Sequence, residues 1–156
     1  MAFAIQTEAA LQEDVRTMVT ALNAHLTPLS PPEFQFPMTA EQMSGADCMV
    51  FIVRDNSGAP VGMGCLKQHE GRIGEVKRMW SAPHLRGQGI GASVLAAIID
   101  KAEALDLSEL VLETGTSPEY APAWSLYERA GFQPCGAVLD YPTSEHNRFY
   151  RKVLSA

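Results

Sequence analysis

Residues 75–104 read EVKRMWSAPHLRGQGIGASVLAAIIDKAEA, and this stretch decides the fold class. It predicts a strand, a short proline-containing loop, a glycine-rich turn and an amphipathic helix. The turn is Arg86-Gly87-Gln88-Gly89-Ile90-Gly91, followed by Ala92. Beyond it Ile90, Val94, Ile98, Ala102 and Leu105 recur at helical spacing and line one face. Glycines at the mouth of a helix let the backbone come close to a ligand, because no Cβ stands in the way. They also leave N–H groups free at the end where the helix dipole is positive. Arg86 adds a full positive charge there. Together these features predict a seat for phosphate or pyrophosphate.

The same letters admit other readings. A glycine-rich turn before a helix is often only a tight connection. Gly87, Gly89 and Ala92 also satisfy G-x-G-x-x-A, the dinucleotide fingerprint. Against it, only about 65 residues follow the turn, too few for the second half of a dinucleotide domain. A Walker phosphate loop is excluded, since no Gly-Lys-Ser/Thr follows the glycines.

A chain of 156 residues, 46% apolar and 19% charged, is expected to be one globular domain spanning 1–156. No apolar run of about 18 residues suggests a membrane span, and the opening MAFAIQTEAALQED lacks the pattern of a signal peptide. Cys48, Cys65 and Cys135 have no metal-like spacing and read as reduced, mostly buried thiols of a cytoplasmic protein. His25, His69, His84 and His146 are isolated, and no metal is expected. The net charge of −6 argues against nucleic acid as a partner and suits a cationic or amine substrate.

Taken in order, residues 3–6 read as an edge strand. Thr7 is placed to cap a helix with Leu11, Val15, Met18, Val19 and Leu22 on its apolar face, ending at His25. Residues 27–37, TPLSPPEFQFP, carry Pro28, Pro31, Pro32 and Pro37 and cannot be regular. This loop, with Phe34 and Phe36, covers the core or forms one wall of a substrate pocket. Residues 39–46 predict a short helix, and 48–54 (CMVFIVR) a buried strand. Residues 55–58 (DNSG) have hairpin-turn chemistry, leading to strands at 60–68 and 73–80. After the organising helix, 109–114 (ELVLET) predicts another buried strand. Pro122 suits the first position of a helix that Gly131 stops, and strands follow at 135–139 and 147–153. The result is an α/β fold, a mixed sheet of six or seven strands with helices on both faces.

Three motifs carry a more specific resemblance: Arg-x-x-Gly-x-Gly after EVKRMW, LETG at 112–115, and AxxLYExxGF at 123–132. In this order they resemble the GNAT family of N-acetyltransferases across nearly the whole chain. HLTPLSPPE at 25–33 and the late Asp140-Tyr141 are also similar to a bacterial subgroup labelled indole-3-acetic acid acetyltransferase. The resemblance implies a mostly antiparallel central sheet, acetyl-CoA as cosubstrate, and direct attack by a small-molecule or peptide amine in a ternary complex. It implies that Arg86, Gly87, Gln88, Gly89, Ile90, Gly91 and Ala92 hold the pyrophosphate. The backbones of Met79, Trp80 and Ser81 would pair with the pantetheine arm, where their strand splays from its neighbour. Dimers are common in the family. Where many members carry an Asn to contact the cofactor arm, this chain has Tyr120.

Acetyl transfer to an amine needs a base for the ammonium and an acid for the departing thiolate. The resemblance points to Glu75 as the base, acting through water, and to Tyr127 as the acid. Glu113, polar in an otherwise buried strand, is the rival base or an acceptor-binding group, and so needs a partner or faces a cleft. Strand alternation would set Glu75, Lys77 and Met79 on one face, and Val76, Arg78 and Trp80 on the other. Arg78 and Phe34 complete the acceptor-side candidates. The plain alternatives are a paired surface carboxylate for Glu75, a core tyrosine for Tyr127 and ordinary core for Trp80. In other function classes, the fold would serve as a non-catalytic acyl-CoA sensor, or the turn would bind a nicotinamide nucleotide.

Overall fold

The central strands form because their sequences alternate or are continuously apolar, and their order along the chain sets the sheet. In the computed structural model, which describes residues 2–35 and 37–154, Phe36 of the proline-rich loop lies outside the described residues. The strands are β1 (Ala4–Glu8), β2 (Cys48–Arg54), β3 (Pro60–His69), β4 (Ile73–Ser81), β5 (Glu109–Gly115), β6 (Gln133–Cys135) and β7 (Asn147–Val153). They lie in the order β1-β2-β3-β4-β5-β7-β6. Every pairing is antiparallel except β4 with β5. The β2–β3 hairpin turns where expected: the Asp55 carboxylate accepts from Ser57 N–H at 2.9 Å and Ala59 N–H at 3.1 Å.

Helices cover both faces. On one lie α3 (Ile90–Ala104) and α4 (Ala121–Arg129). Val94, Leu95 and Ile98 pack there on Leu66, Val76, Leu110 and Leu112. Gly62 and Gly64 of β3 make room for α3: a Cβ on Gly64 would meet Val94 at 2.5 Å, and one on Gly62 would strike Ile90. On the other face lie α1 (Glu13–Leu26) and α2 (Ala40–Met43), burying Val15, Met18, Leu22 and Met43 against Ile52, Met63 and Cys65.

Three expectations are corrected. Thr7 is not a helix cap: β1 runs on through Glu8, paired residue for residue with β2, and α1 starts only after Gln12. Leu11 therefore lies outside the helix and is 54% exposed. The strand expected at 135–139 is instead Gln133–Cys135, three residues on the sheet edge, and Leu139 sits at a φ of 52° that no strand allows. The third correction is in β4. Cys65 opposes Lys77 and Met63 opposes Trp80, so Arg78 and Met79 together face the single residue Gly64. Arg78 holds a left-handed φ of 55°, the mark of a bulge. The alternation breaks there: Met79 joins Val76 on the α3 side, while Arg78 turns to Asn23 of α1.

The bulge adds to a second irregularity. Pairing of β4 with β5 stops at Glu75↔Val111, although both strands continue. Beyond that point the strands part, and residues 76–81 present backbone groups that no strand satisfies on the β5 side. The parted strands open the sheet.

Candidate active site

The opening becomes a cavity of about 1250 Å³ that runs from the glycine turn to the α1 side of the sheet. At one end, Gly87 (φ 84°) and Gly89 (φ 80°) both adopt the left-handed conformation that glycine takes without penalty. Gly89 is the N-cap of α3, no side chain caps that terminus, and no acidic residue stands in its first turn. A Cβ on either glycine would meet open space, so the turn leaves clear approach to the helix N-terminus. Arg86 is exposed beside it and lines the cavity. An uncapped helix end, two open glycines and a free guanidinium fit a pyrophosphate. Of the residues expected here, Met79, Trp80, Ser81, Arg86, Gly87, Gly89, Ile90, Gly91 and Ala92 line the cavity. Gln88 does not: it is exposed, with its N–H turned back to the Leu85 carbonyl at 3.4 Å.

Midway along, α4 supplies Tyr127. Its ring is wedged between Phe132 and Tyr150, with centroids 5.9 Å from each. The helix is fixed by Trp124, whose indole N–H donates to the Gly115 carbonyl at 3.0 Å. Gly131 closes it at φ 95°, with Phe132 N–H donating to the Tyr127 carbonyl at 3.0 Å. Tyr127 is 7% exposed, lines the cavity, and burial raises its phenol well above the usual range. It is therefore fully protonated at neutral pH and available as a proton donor.

The two carboxylates have different surroundings. Glu75, 2% exposed, is saturated: one oxygen meets His69 Nε2 at 2.9 Å, and the other accepts from the Tyr141 hydroxyl at 2.5 Å. Lys77 Nζ stands 3.6 Å from the same carboxylate and donates to the Tyr141 oxygen at 2.8 Å. Glu113 of β5 lines the cavity and, among the described residues, has no comparable set of partners beyond the Asn147 amide. Burial lifts its pKa from 4.5 to about 7, with the Asn147 amide and Lys77 opposing the shift and the Glu75 charge adding to it. A carboxyl poised near neutrality beside a buried phenol is the arrangement that proton transfer at pH 7 needs.

Tyr141, Lys77 and His69 were not expected at the site. The Asp140-Tyr141 pair carried only a family resemblance, and nothing local predicts that the 136–146 loop returns a phenol to Glu75. Tyr120, in the position of the family's Asn, packs its ring against Gly115 and lines the cavity. Phe34 also lines it, its ring tilted 38° to that of His146 with centroids 5.0 Å apart, so the proline-rich loop does form a wall of the cavity. Arg78 lies on the same side.

This geometry can be set beside known proteins. The sequence model described as "Acetyltransferase (GNAT) family" matches residues 16–132. The chain belongs to that family. It is 36% identical over 143 residues to the N-acetyltransferase YsnE of Bacillus subtilis (strain 168), covering 89% of this chain and 93% of that one. With the IAA acetyltransferase of Azospirillum brasilense it shares 35% identity over 151 residues, 96% and 97% of the two chains. A Klebsiella pneumoniae chain described as an acyl-CoA N-acyltransferase superposes with a TM-score of 0.81 at 29% identity, covering 97% of each. The Escherichia coli ribosomal-protein-S18-alanine N-acetyltransferase shares the fold, with a TM-score of 0.68 at 19% identity over 99% and 96%. The GNAT chain is thus an acyltransferase enzyme, its seven-stranded sheet is the acyl-CoA N-acyltransferase fold, and an acyl-CoA is the cosubstrate that the family implies.

Proposed function

We propose that this GNAT enzyme transfers an acetyl group from acetyl-CoA to the primary amine of a small molecule or peptide, by direct attack in a ternary complex. The observation that carries this reading is the pairing of Glu113, at about 7, with the buried, protonated Tyr127 along one cavity that begins at the uncapped α3 terminus.

The turn at Arg86–Gly91 and the N-terminus of α3 receive the pyrophosphate, and the unpaired edge of β4 beyond Glu75 receives the pantetheine amides. When bound, acetyl-CoA supplies an activated thioester whose acetyl group can pass straight to the amine. Glu113 takes a proton from the ammonium, which has a pKa of about 10 and is otherwise almost wholly charged at pH 7. The freed nitrogen forms the new C–N bond as the C–S bond breaks, Tyr127 gives its proton to the departing sulfur, and the second proton shed by the nitrogen returns, through water, to the phenolate. Glu75 holds Tyr141 and Lys77 in place, and the charged Lys77 keeps the Glu113 shift in check.

The test is free-thiol release from acetyl-CoA against a panel of amines, with initial rates measured over both concentrations. A ternary complex predicts intersecting double-reciprocal lines. Parallel lines would point to an acetyl-enzyme instead. Acetyl-CoA binding without thiol release for any amine would leave an acyl-CoA sensor.

A further inference from the structure

Arg78 is a buried cation without an anion. Its side chain is 8% exposed, yet no carboxylate lies within ion-pair distance among the described residues. One terminal nitrogen donates to the Asn23 amide oxygen of α1. Nε is the one buried side-chain polar atom among the described residues that has no hydrogen-bond partner at all. Burying a guanidinium with only a neutral acceptor leaves most of its desolvation unrepaid. A buried polar group left unsatisfied calls for an explanation, and a ligand that completes it is one.

The bulge in β4 determines where that ligand sits. Had strand alternation continued, Arg78 would lie among the aliphatic side chains under α3. The left-handed residue turns it to α1 instead, onto the wall of the cavity. That is the face away from the α3 N-terminus, so the pyrophosphate seat and Arg78 serve different groups. Lys77, the neighbouring cation, already has Glu75 and Tyr141. Arg78 is left with a fork of N–H donors matched to the two oxygens of a carboxylate.

We infer that the acceptor carries its own carboxylate, an amino acid or close analogue, which Arg78 binds in the same cavity where Glu113 receives the ammonium proton. This rests on the N-acetyltransfer reading and narrows its substrate class. An acidic protein thereby takes a zwitterion, with one buried charge for each end.

The experiment compares amino acids with their carboxamides and with the corresponding decarboxylated amines. It uses thiol release from acetyl-CoA and, separately, calorimetric binding to the CoA-loaded protein. Acids should exceed both analogue sets in kcat/KM by on the order of 10²-fold or more, since a site built to bond a group rejects analogues lacking it. Arg78→Gln should erase that preference through KM while the affinity for acetyl-CoA stays unchanged; Arg78→Lys should restore part of it. Equal turnover of acids and amides would overturn the carboxylate assignment and leave N-acetyl transfer standing, and this comparison needs no variant to fold. Acids that bind through Arg78 but release no thiol would uphold the carboxylate site and overturn the transfer reading. No binding or turnover of any acid while the amines release thiol would overturn the carboxylate site alone, and no binding of any acid together with no thiol release with any acid, amide or amine would overturn both.

Discussion

Replacing Glu113 with Gln tests the proton chemistry and the electrostatics of the site at once. The carboxyl is held at about 7 in the fold against 4.5 as a free side chain, chiefly because burial penalises its charge. Between those values the folded protein binds a proton that the unfolded chain releases, so stability falls as pH rises through this window. At about 1.36 kcal/mol per unit, the full shift is a penalty of up to roughly 3 kcal/mol, complete above pH 7 and absent below about 4.5. Glu113→Gln removes the titration and keeps the shape. The variant should therefore match the wild type near pH 4.5 and gain on it progressively up to pH 8, in denaturant unfolding measured across that range. Activity should move oppositely. Wild-type kcat/KM should fall about tenfold for each pH unit below 7, as the base is protonated. The variant should lose roughly 10²–10⁴-fold in kcat at pH 8 together with that acidic limb. A variant that keeps the limb near pH 7 and most of its kcat would refute Glu113 as the base. A stability difference independent of pH would refute the shifted carboxyl itself.

Tyr127→Phe keeps the ring between Phe132 and Tyr150 but removes the proton, so kcat should drop about 10²–10⁴-fold with acetyl-CoA affinity nearly unchanged; near wild-type kcat would make water the proton source. Gly89→Val forces a β-branched residue into a φ of 80° at the α3 cap. The fold should lose roughly 1–3 kcal/mol, and the rise in melting temperature that acetyl-CoA gives the wild type should vanish, as calorimetry and thermal unfolding would report. Retained acetyl-CoA affinity would show that the turn is only a connection. Glu75→Gln strands Lys77 and weakens the ties to His69 and Tyr141, and should cost about 3–5 kcal/mol in denaturant unfolding, because breaking a buried ionic network leaves its other members uncompensated. Unchanged stability would mean that the network is not a structural anchor.

The sequence made some parts of this enzyme legible because their signals are local. The glycine turn, the α3 stripe, the β2–β3 hairpin and the Pro122 helix each depend on the chemistry of a few neighbouring residues. Three features were not local. The β4 bulge depends on how Gly64 and the helix above it fit, and nothing in KRMW announces that Arg78 turns aside. Tyr141 reaches Glu75 across 66 positions of chain. Thr7 had the chemistry of a cap, but five paired residues in β1 outweighed it. Glu75 and Glu113 differ in burial and partners that no local signal shows: one carboxylate is held by His69, Tyr141 and Lys77, and burial raises the pKa of the other.

The most direct test of the central claim is the fate of the acetyl group itself. The enzyme is incubated with acetyl-CoA labelled in the acetyl carbons and a mixture of amino acids and simple amines, and the label is traced by mass spectrometry. Label is expected on the acceptor nitrogen as a hydroxylamine-stable amide, with one thiol released for each acetyl moved. Label found on the protein, or only as free acetate, would contradict it.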